Sequence, residues 1–187
     1  NLDHLLKMKK VINICLIVVF CSLFMTSCLY HNIEELENSS NKELTNVEYS
    51  YRFLYNDTIQ KGTVNEEIEK DRVCEVIFNK QIEPINEQGV LGFKTTLTYD
   101  LNSVQKAGPS GSVTKEMLYE MFKQQINVSG LSKLWVYVSI SDAASIVPLD
   151  DAPKLGTPGD FSKDHYYRVT AADGSSADYV LKTVRGF

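Results

Sequence analysis

The chain has 187 residues and a formal net charge of −5 at pH 7, and 43% of its residues are hydrophobic. An acidic chain does not collect phosphate groups, so no nucleic acid is expected as a partner. Charge does not draw such a chain to anionic lipid either, which excludes membrane binding by electrostatics alone.

The first 27 residues have the layout of a secretory signal peptide. Two lysines follow Met8, an apolar stretch runs from Val11 to Met25, and two small residues come before Cys28. At about 1.5 Å per residue the apolar stretch reaches roughly 22 Å as a helix, which is short for a bilayer core of ~30 Å. We therefore expect a signal peptide over residues 1–27, with translation starting at Met8.

The four residues Met25-Thr26-Ser27-Cys28 resemble the lipobox of bacterial lipoproteins. The resemblance implies diacylation of the Cys28 thiol, cleavage before Cys28 and acylation of the new amino group. Two or more acyl chains anchor a protein stably, whereas a single chain binds a membrane only marginally. The expected membrane contact is therefore made by acyl chains on Cys28. An ordinary secretory signal or an uncleaved anchor is the alternative.

Residues 28–45 are expected to form the lipidated cysteine and a flexible tether. Removal of residues 1–27 takes away three lysines and one aspartate, which changes the net charge from −5 to −7. The tether is polar and holds too few large apolar groups to fold alone. Its acidic residues Glu34, Glu35 and Glu37 resemble the surface-export signal of Bacteroidetes-type lipoproteins. The resemblance implies a lipid-anchored protein of the bacterial outer membrane, with surface exposure as a further expectation.

The cysteines leave no disulfide framework in the mature chain. Cys15 and Cys21 lie in the signal peptide and Cys28 carries the lipid, so Cys74 remains alone. A single cysteine forms neither an intramolecular disulfide nor a zinc site with several thiolates. We expect Cys74 to be a small buried apolar residue rather than a nucleophile.

From residue 46 onward the sequence alternates at strand period. One face of VEYSYRFLY carries Val47, Tyr49, Tyr51, Phe53 and Tyr55. Further strands are predicted in RVCEVIFN, GFKTTLTYDL, SKLWVYVSIS, HYYRVT and YVLKTV, with a weaker one before RVCEVIFN.

One short helix and a final hairpin complete the predicted domain. TKEMLYEMFKQQI shows helical spacing, with Thr114 as N-cap and an apolar set that includes Met117 and Phe122. Asp173-Gly174 between two β-rich runs is typical of a hairpin turn. Six to seven strands with one short helix predict a mainly β fold, a β-sandwich over residues 46–187.

The C-terminal third resembles the end of Ig-like modules in Bacteroidetes surface lipoproteins. The matching residues are Ser141, Ala144, Ile146, Pro148, Asp160, Phe161, Ser162, Tyr167, Val169, Thr170, Ala171, Asp173, Gly174 and Tyr179. In such lipoproteins the module often precedes a domain linked to carbohydrate metabolism or glycan binding. The resemblance implies an Ig-like β-sandwich and a role as accessory or adhesion module of the cell envelope, with a glycan or an envelope protein as partner.

Catalytic motifs are scarce. His165 is the one histidine of the predicted domain, and no serine or cysteine pairs with it in a motif. We therefore expect no catalysis and no cofactor. The alternative is a small carbohydrate-active enzyme that uses loop carboxylates, which need no histidine.

Three kinds of candidate site remain. Asp150, Asp151 and Asp160 share one long loop and are weak candidates for Ca²⁺, although such loops are usually only solvated. Trp135 and Tyr137 alternate away from the core face of their strand and are weak candidates for stacking against sugar rings. The alternative for this pair is that both sheet faces are covered, for example by the helix over residues 114–126.

The tripeptide Asp57-Thr58-Ile59 resembles the short O-glycosylation motif of secreted Bacteroidetes proteins.

Overall fold

The computed structural model describes residues 39–108 and 111–187, where it has ten strands, one α-helix and one 3₁₀ turn. The strands are β1 Leu44–Ile59, β2 Glu67–Ile77, β3 Asn79–Glu87, β4 Val90–Thr98, β5 Val104–Lys106, β6 Leu134–Ile140, β7 Ser145–Pro148, β8 Pro158–Gly159, β9 His165–Thr170 and β10 Ser176–Arg185. The helix α1 is Lys115–Ser129 and the 3₁₀ turn is Leu101–Ser103. The predicted signal peptide, Cys28 and the tether up to residue 38 lie outside the described residues.

The strands form two five-stranded sheets. The first sheet has the order β5-β2-β1-β6-β8 and the second has the order β3-β4-β10-β9-β7. Their strand pairs are antiparallel, apart from the parallel pair of β4 and β10. Side chains from both sheets meet in one hydrophobic core, which confirms the predicted mainly β sandwich.

The central strand of the first sheet is β1. Its apolar face is buried as predicted, and the buried residues are Val47, Tyr49, Tyr51, Phe53 and Tyr55. The Thr183 hydroxyl of β10 donates a hydrogen bond to the Tyr49 hydroxyl at 3.2 Å, which ties the two sheets together across the core.

The helix forms where it was predicted but turns a different face to the core. Thr114 is its N-cap, and the Thr114 hydroxyl accepts a hydrogen bond from the Met117 backbone N–H at 3.3 Å. Leu118, Phe122 and Ile126 are buried at helical spacing, whereas Met117 is half exposed. The predicted apolar face was therefore right at Phe122 and wrong at Met117. Nowhere in the described part of the chain does a helix have the length and apolarity that a bilayer crossing needs.

Four strands were not predicted, because their sequences do not alternate strongly. The longest of them is β3, which lies at the edge of the second sheet and contains Pro84. An edge strand tolerates proline because one side of its backbone needs no partner. The others, β5, β7 and β8, have two to four residues each. The last two divide a segment predicted to be one long loop.

The C-terminal run that resembles Ig-like modules consists of structural residues. Phe161 and Tyr167 are fully buried, and the Tyr167 hydroxyl donates to the Pro153 carbonyl oxygen at 2.8 Å. Gly174 has a φ of +85°, a left-handed conformation that glycine adopts without strain, in the turn between β9 and β10. The run therefore encodes packing and a turn rather than a reaction.

Candidate ligand-binding face

The outer face of the first sheet presents apolar and aromatic side chains to solvent. The strand register places Arg52 opposite Glu75 and Leu54 opposite Val73. On the other side of β1, Ser50 lies opposite Trp135. We call this surface the open face, and its residues are Glu48, Ser50, Arg52, Leu54, Val73, Glu75, Ile77, Lys133, Trp135 and Tyr137.

The apolar side chains of the open face are partly exposed to solvent. The exposed fractions are 58% for Leu54, 48% for Val73 and 39% for Tyr137, and Trp135 is half-buried beside them. Contiguous apolar surface of this kind marks interaction sites more often than scattered apolar residues do.

The helix does not cover the open face. The Phe122 ring of α1 packs 5.6 Å from the ring of Tyr51, which points to the opposite, inner side of β1. The same Phe122 ring lies 6.0 Å from Phe78 in the core. The alternative in which the helix shields Trp135 and Tyr137 is therefore wrong, and both aromatics are placed together on the solvent side.

Arg52 organises the centre of the open face. Its guanidinium carbon lies 4.4 Å from the ring centroid of Trp135 and 6.0 Å from that of Tyr137. Its Nη2 forms an ion pair of 2.8 Å with Glu75, whose carboxylate also accepts a hydrogen bond from Ser50 at 2.8 Å. Cation–π contact and ion pairing hold the aromatic and charged groups in fixed positions before any ligand arrives.

Two depressions lie on the open face. The larger has a volume of about 400 Å³, and its lining includes Arg52, Leu54, Val73, Lys133, Trp135 and Pro158. The smaller has a volume of about 220 Å³, and its lining includes Glu48, Ser50, Glu75, Ile77 and Tyr137. Apolar walls with a few charged groups are the usual composition of small-molecule sites.

The outer face of the second sheet has a different character. Its ion pairs join Lys94 to Glu83 at 3.2 Å, Arg168 to Asp178 at 2.7 Å, and Lys182 to Glu87 at 2.6 Å and to Asp164 at 2.9 Å. Exposed pairs of this kind are typical of a solvated surface and contribute little to stability. Because Val147, Tyr166 and Val184 are also exposed on the second sheet, the features that single out the open face are its aromatic pair beside Arg52 and its two depressions.

The weak calcium candidates are not assembled into a site. Asp151 forms an ion pair with Lys163, and the Asp160 carboxylate accepts a hydrogen bond from the Ser162 N–H at 2.9 Å. The Ser162 hydrogen bonds lower the pKa of Asp160. Across residues 39–108 and 111–187, no three histidine, cysteine or acidic side chains gather into a group that would hold a metal ion. Asp150 is therefore not joined by the other two in a three-carboxylate group.

His165 and Cys74, the histidine and the cysteine of the domain, are both buried. His165 lies with its Nε2 2.7 Å from the carbonyl oxygen of Asp160, which fits an N–H that donates to this oxygen. Cys74 is fully buried, and burial raises the pKa of its thiol to about 11. The thiol is therefore protonated at neutral pH, and the predicted buried apolar role of Cys74 is confirmed.

A buried charge cluster was missed by sequence reasoning. Asp57 is almost fully buried, with one carboxylate oxygen 2.8 Å from Arg72 and 3.1 Å from Lys106. Its other oxygen accepts the Val113 N–H at 2.8 Å. Gly111 makes room for the cluster, because a Cβ there would lie 2.2 Å from the Asp57 carboxylate. The aspartate of the Asp57-Thr58-Ile59 motif therefore has a structural role.

Burial alone would raise the pKa of Asp57. The Val113 hydrogen bond and the positive charges of Lys106 and Arg72 outweigh this effect and hold the pKa below its usual value. No sequence pattern marks this cluster, because Asp57, Arg72 and Lys106 lie on three different strands.

Comparison with known proteins gives one family match and one match to a solved structure. The family model described as DUF5018-related matches residues 44–182, from the first residue of β1 into β10. The crystal structure of a Bacteroides fragilis NCTC 9343 protein that is predicted to be secreted aligns with 27% identity and a TM-score of 0.50. The alignment covers 79% of this chain and 98% of that one. The comparison with curated proteins gives no match.

Proposed function

The chain belongs to the DUF5018-related family, and on this premise we propose that it is a lipid-anchored, Ig-like accessory or adhesion module of the cell envelope. In this proposal the module captures glycans through the open face and catalyses no reaction. The observation that carries the proposal is the sheet face that α1 leaves uncovered, which carries Trp135 and Tyr137 beside Arg52.

Similarity to a Bacteroides protein predicted to be secreted supports the exported location. Attachment to the outer membrane rests on the lipobox-like residues before Cys28. Cys28→Ala is expected to abolish both palmitate labelling and membrane fractionation of the full chain, with Cys21→Ala as a matched control that keeps both. Labelling or membrane association that persists in Cys28→Ala contradicts the anchor.

A glycan fits the chemistry of the open face. Aromatic rings offer flat apolar surface to the C–H face of a sugar, while charged and hydroxyl groups beside them bind its hydroxyls. Trp135 and Tyr137 supply the rings, and Arg52 and Glu75 supply fixed polar groups.

The carboxylates of the open face favour binding over hydrolysis. A glycosidase needs an acid whose pKa is raised, next to a second free carboxylate. Burial alone would raise the pKa of Glu48, but hydrogen bonds from Lys80 and Asn46 hold it below its usual value. Glu75 is engaged by Arg52. These contacts support a non-enzymatic role.

A glycan array probed with the full chain in detergent tests the proposed function. Trp135→Ala is expected to reduce binding of every positive glycan, because it removes the central ring of the open face. Tyr166→Ala is the matched control, since Tyr166 is 37% exposed on the outer face of the second sheet. An array without positive glycans, or equal losses in the two variants, overturns the proposal.

A further inference from the structure

Charge is unevenly distributed along the open face. Arg52 and Lys133 line the larger depression, whereas Glu48 and Glu75 line the smaller one. Arg52 is neutralised by Glu75, and Glu48 is paired with Lys80. Within residues 39–108 and 111–187, exposed Lys133 forms no ion pair, so the larger depression carries one uncompensated positive charge.

The remaining lining of the larger depression is apolar. Leu54 and Val73 face each other across β1 and β2, and Trp135 stands on the neighbouring strand β6. The Arg52 guanidinium lies over the Trp135 ring. A ligand therefore contacts the part of the indole that the guanidinium leaves uncovered. A matching ligand therefore combines an apolar face with one negative group.

We propose that the larger depression binds a carboxylated sugar residue of a glycan, with its carboxylate on the Lys133 ammonium and its C–H face on Leu54, Val73 and Trp135. This inference rests on the proposed glycan-binding function and narrows its ligand class. A peptide that binds by strand addition fits less well, because this mode needs a free strand edge. The depression lies instead over β1 and β2, which are paired with each other, and β1 is paired on both sides.

The test compares acidic sugars with their own methyl esters, which keep the ring and lose the charge. The probes are trigalacturonate and sialyllactose, each titrated as acid and as ester into the full chain in detergent. We expect at least one acid to bind more tightly than its ester, by up to about fivefold, which is the upper end of what an exposed ion pair supplies. The preference is expected to shrink as salt rises from 0.05 to 0.5 M, because salt screens exposed charges.

Two lysine variants test whether Lys133 causes the preference for the acid over the ester. Lys133→Gln is expected to bind acid and ester equally, with the ester affinity unchanged. Lys61→Gln makes the same change of net charge in the exposed turn between β1 and β2, and it is expected to keep the preference.

Each contrary result has a distinct meaning. Equal binding of every acid and ester, or a preference that survives Lys133→Gln, overturns the inference. If neutral glycans on the array still bind and depend on Trp135, the proposed function stands while the inference falls. If no glycan binds at all, both fall. Binding of a glutamate hexapeptide that depends on Lys133 but not on Trp135 overturns the inference in favour of an acidic protein segment.

Discussion

The buried Asp57 carboxylate links β1 to the loop between β5 and α1, and the positive charges of neighbouring side chains balance its negative charge. Arg72 and Lys106 approach one side of its carboxylate and the Val113 N–H approaches the other. Asp57→Ala would remove the carboxylate that the partly buried Arg72 and Lys106 share, while Arg72 keeps a 3.4 Å contact with Glu69. We expect the free energy of unfolding in urea to fall by about 3 kcal/mol.

The control for this substitution is Asp178→Ala, which breaks an exposed ion pair with Arg168 on the second sheet. Its expected cost is below about 1 kcal/mol, because water solvates both groups once they separate. Similar losses in the two variants would show that burial of the Asp57 cluster is energetically unimportant.

The lowered pKa of Asp57 also predicts how stability depends on pH. The carboxylate is charged more readily in the folded state than at its ordinary pKa of 3.8. Its contribution is therefore fully present above pH 3.8 and is lost as pH falls through the lower folded pKa. Between pH 5 and pH 2, the stability of Asp57→Asn is expected to fall less steeply than that of the wild type. Parallel pH profiles from urea denaturation would contradict this prediction.

Cys74 should be chemically silent in the folded protein. Its thiol is fully buried with a pKa raised to about 11, so little thiolate forms and reagents cannot reach it. At pH 8, iodoacetamide is expected to leave the Cys74 peptide unmodified in native protein and to alkylate it in 6 M guanidinium, as measured by mass spectrometry. Rapid alkylation in the native state would mean that β2 opens locally.

At the scale of elements, the face of α1 that is buried differs from the face that its sequence pattern predicts. Phe122 is fully buried between Tyr51 and Phe78, whereas Met117 is 50% exposed. We expect Phe122→Ala to lower the free energy of unfolding by about 3–5 kcal/mol. Met117→Ala should change it by less than about 0.5 kcal/mol, as surface substitutions usually do. Comparable losses by urea denaturation would place Met117 in the core.

The same elements show what the sequence reveals and what it hides. β1 was predictable because its inner residues alternate without a break, from Val47 to Tyr55. β3 was hidden because Pro84 and several charged residues suit an edge strand but resemble a loop. The helix was predictable from its N-cap and spacing, yet its buried face depends on which rings of the first sheet lie below it.

The candidate site was only partly readable for a related reason. Alternation showed that Trp135 and Tyr137 point away from the core, but only the position of α1 shows that their face stays open. The neighbours Arg52, Leu54 and Val73 come from strands whose pairing no local pattern specifies. The same holds for the Asp57 cluster, whose members meet only after β1, β2 and β5 align.

At the scale of the whole molecule, the outer face of the first sheet carries the aromatic pair and two depressions, whereas the outer face of the second sheet carries more ion pairs. A ligand that covers the first face removes apolar surface from water. The charged groups of the second face are already paired with each other or solvated. A ligand should therefore bind on the side of the first sheet and stabilise the folded state there. The side of the second sheet should contribute stability that does not depend on the ligand.

The rise of Tm on ligand binding tests which of the two sheets carries the binding site. A ligand at 100 times its Kd that binds only the folded state adds about 2.7 kcal/mol, which for a domain of this size raises Tm by about 5–10 °C. We expect this rise for the full chain with the tightest glycan of the array, and also for Tyr166→Ala. Trp135→Ala should unfold near the wild-type temperature without glycan and show little rise with it. An equal rise in Trp135→Ala would move the binding site away from the open face, because the substitution removes the one indole on which that site is centred.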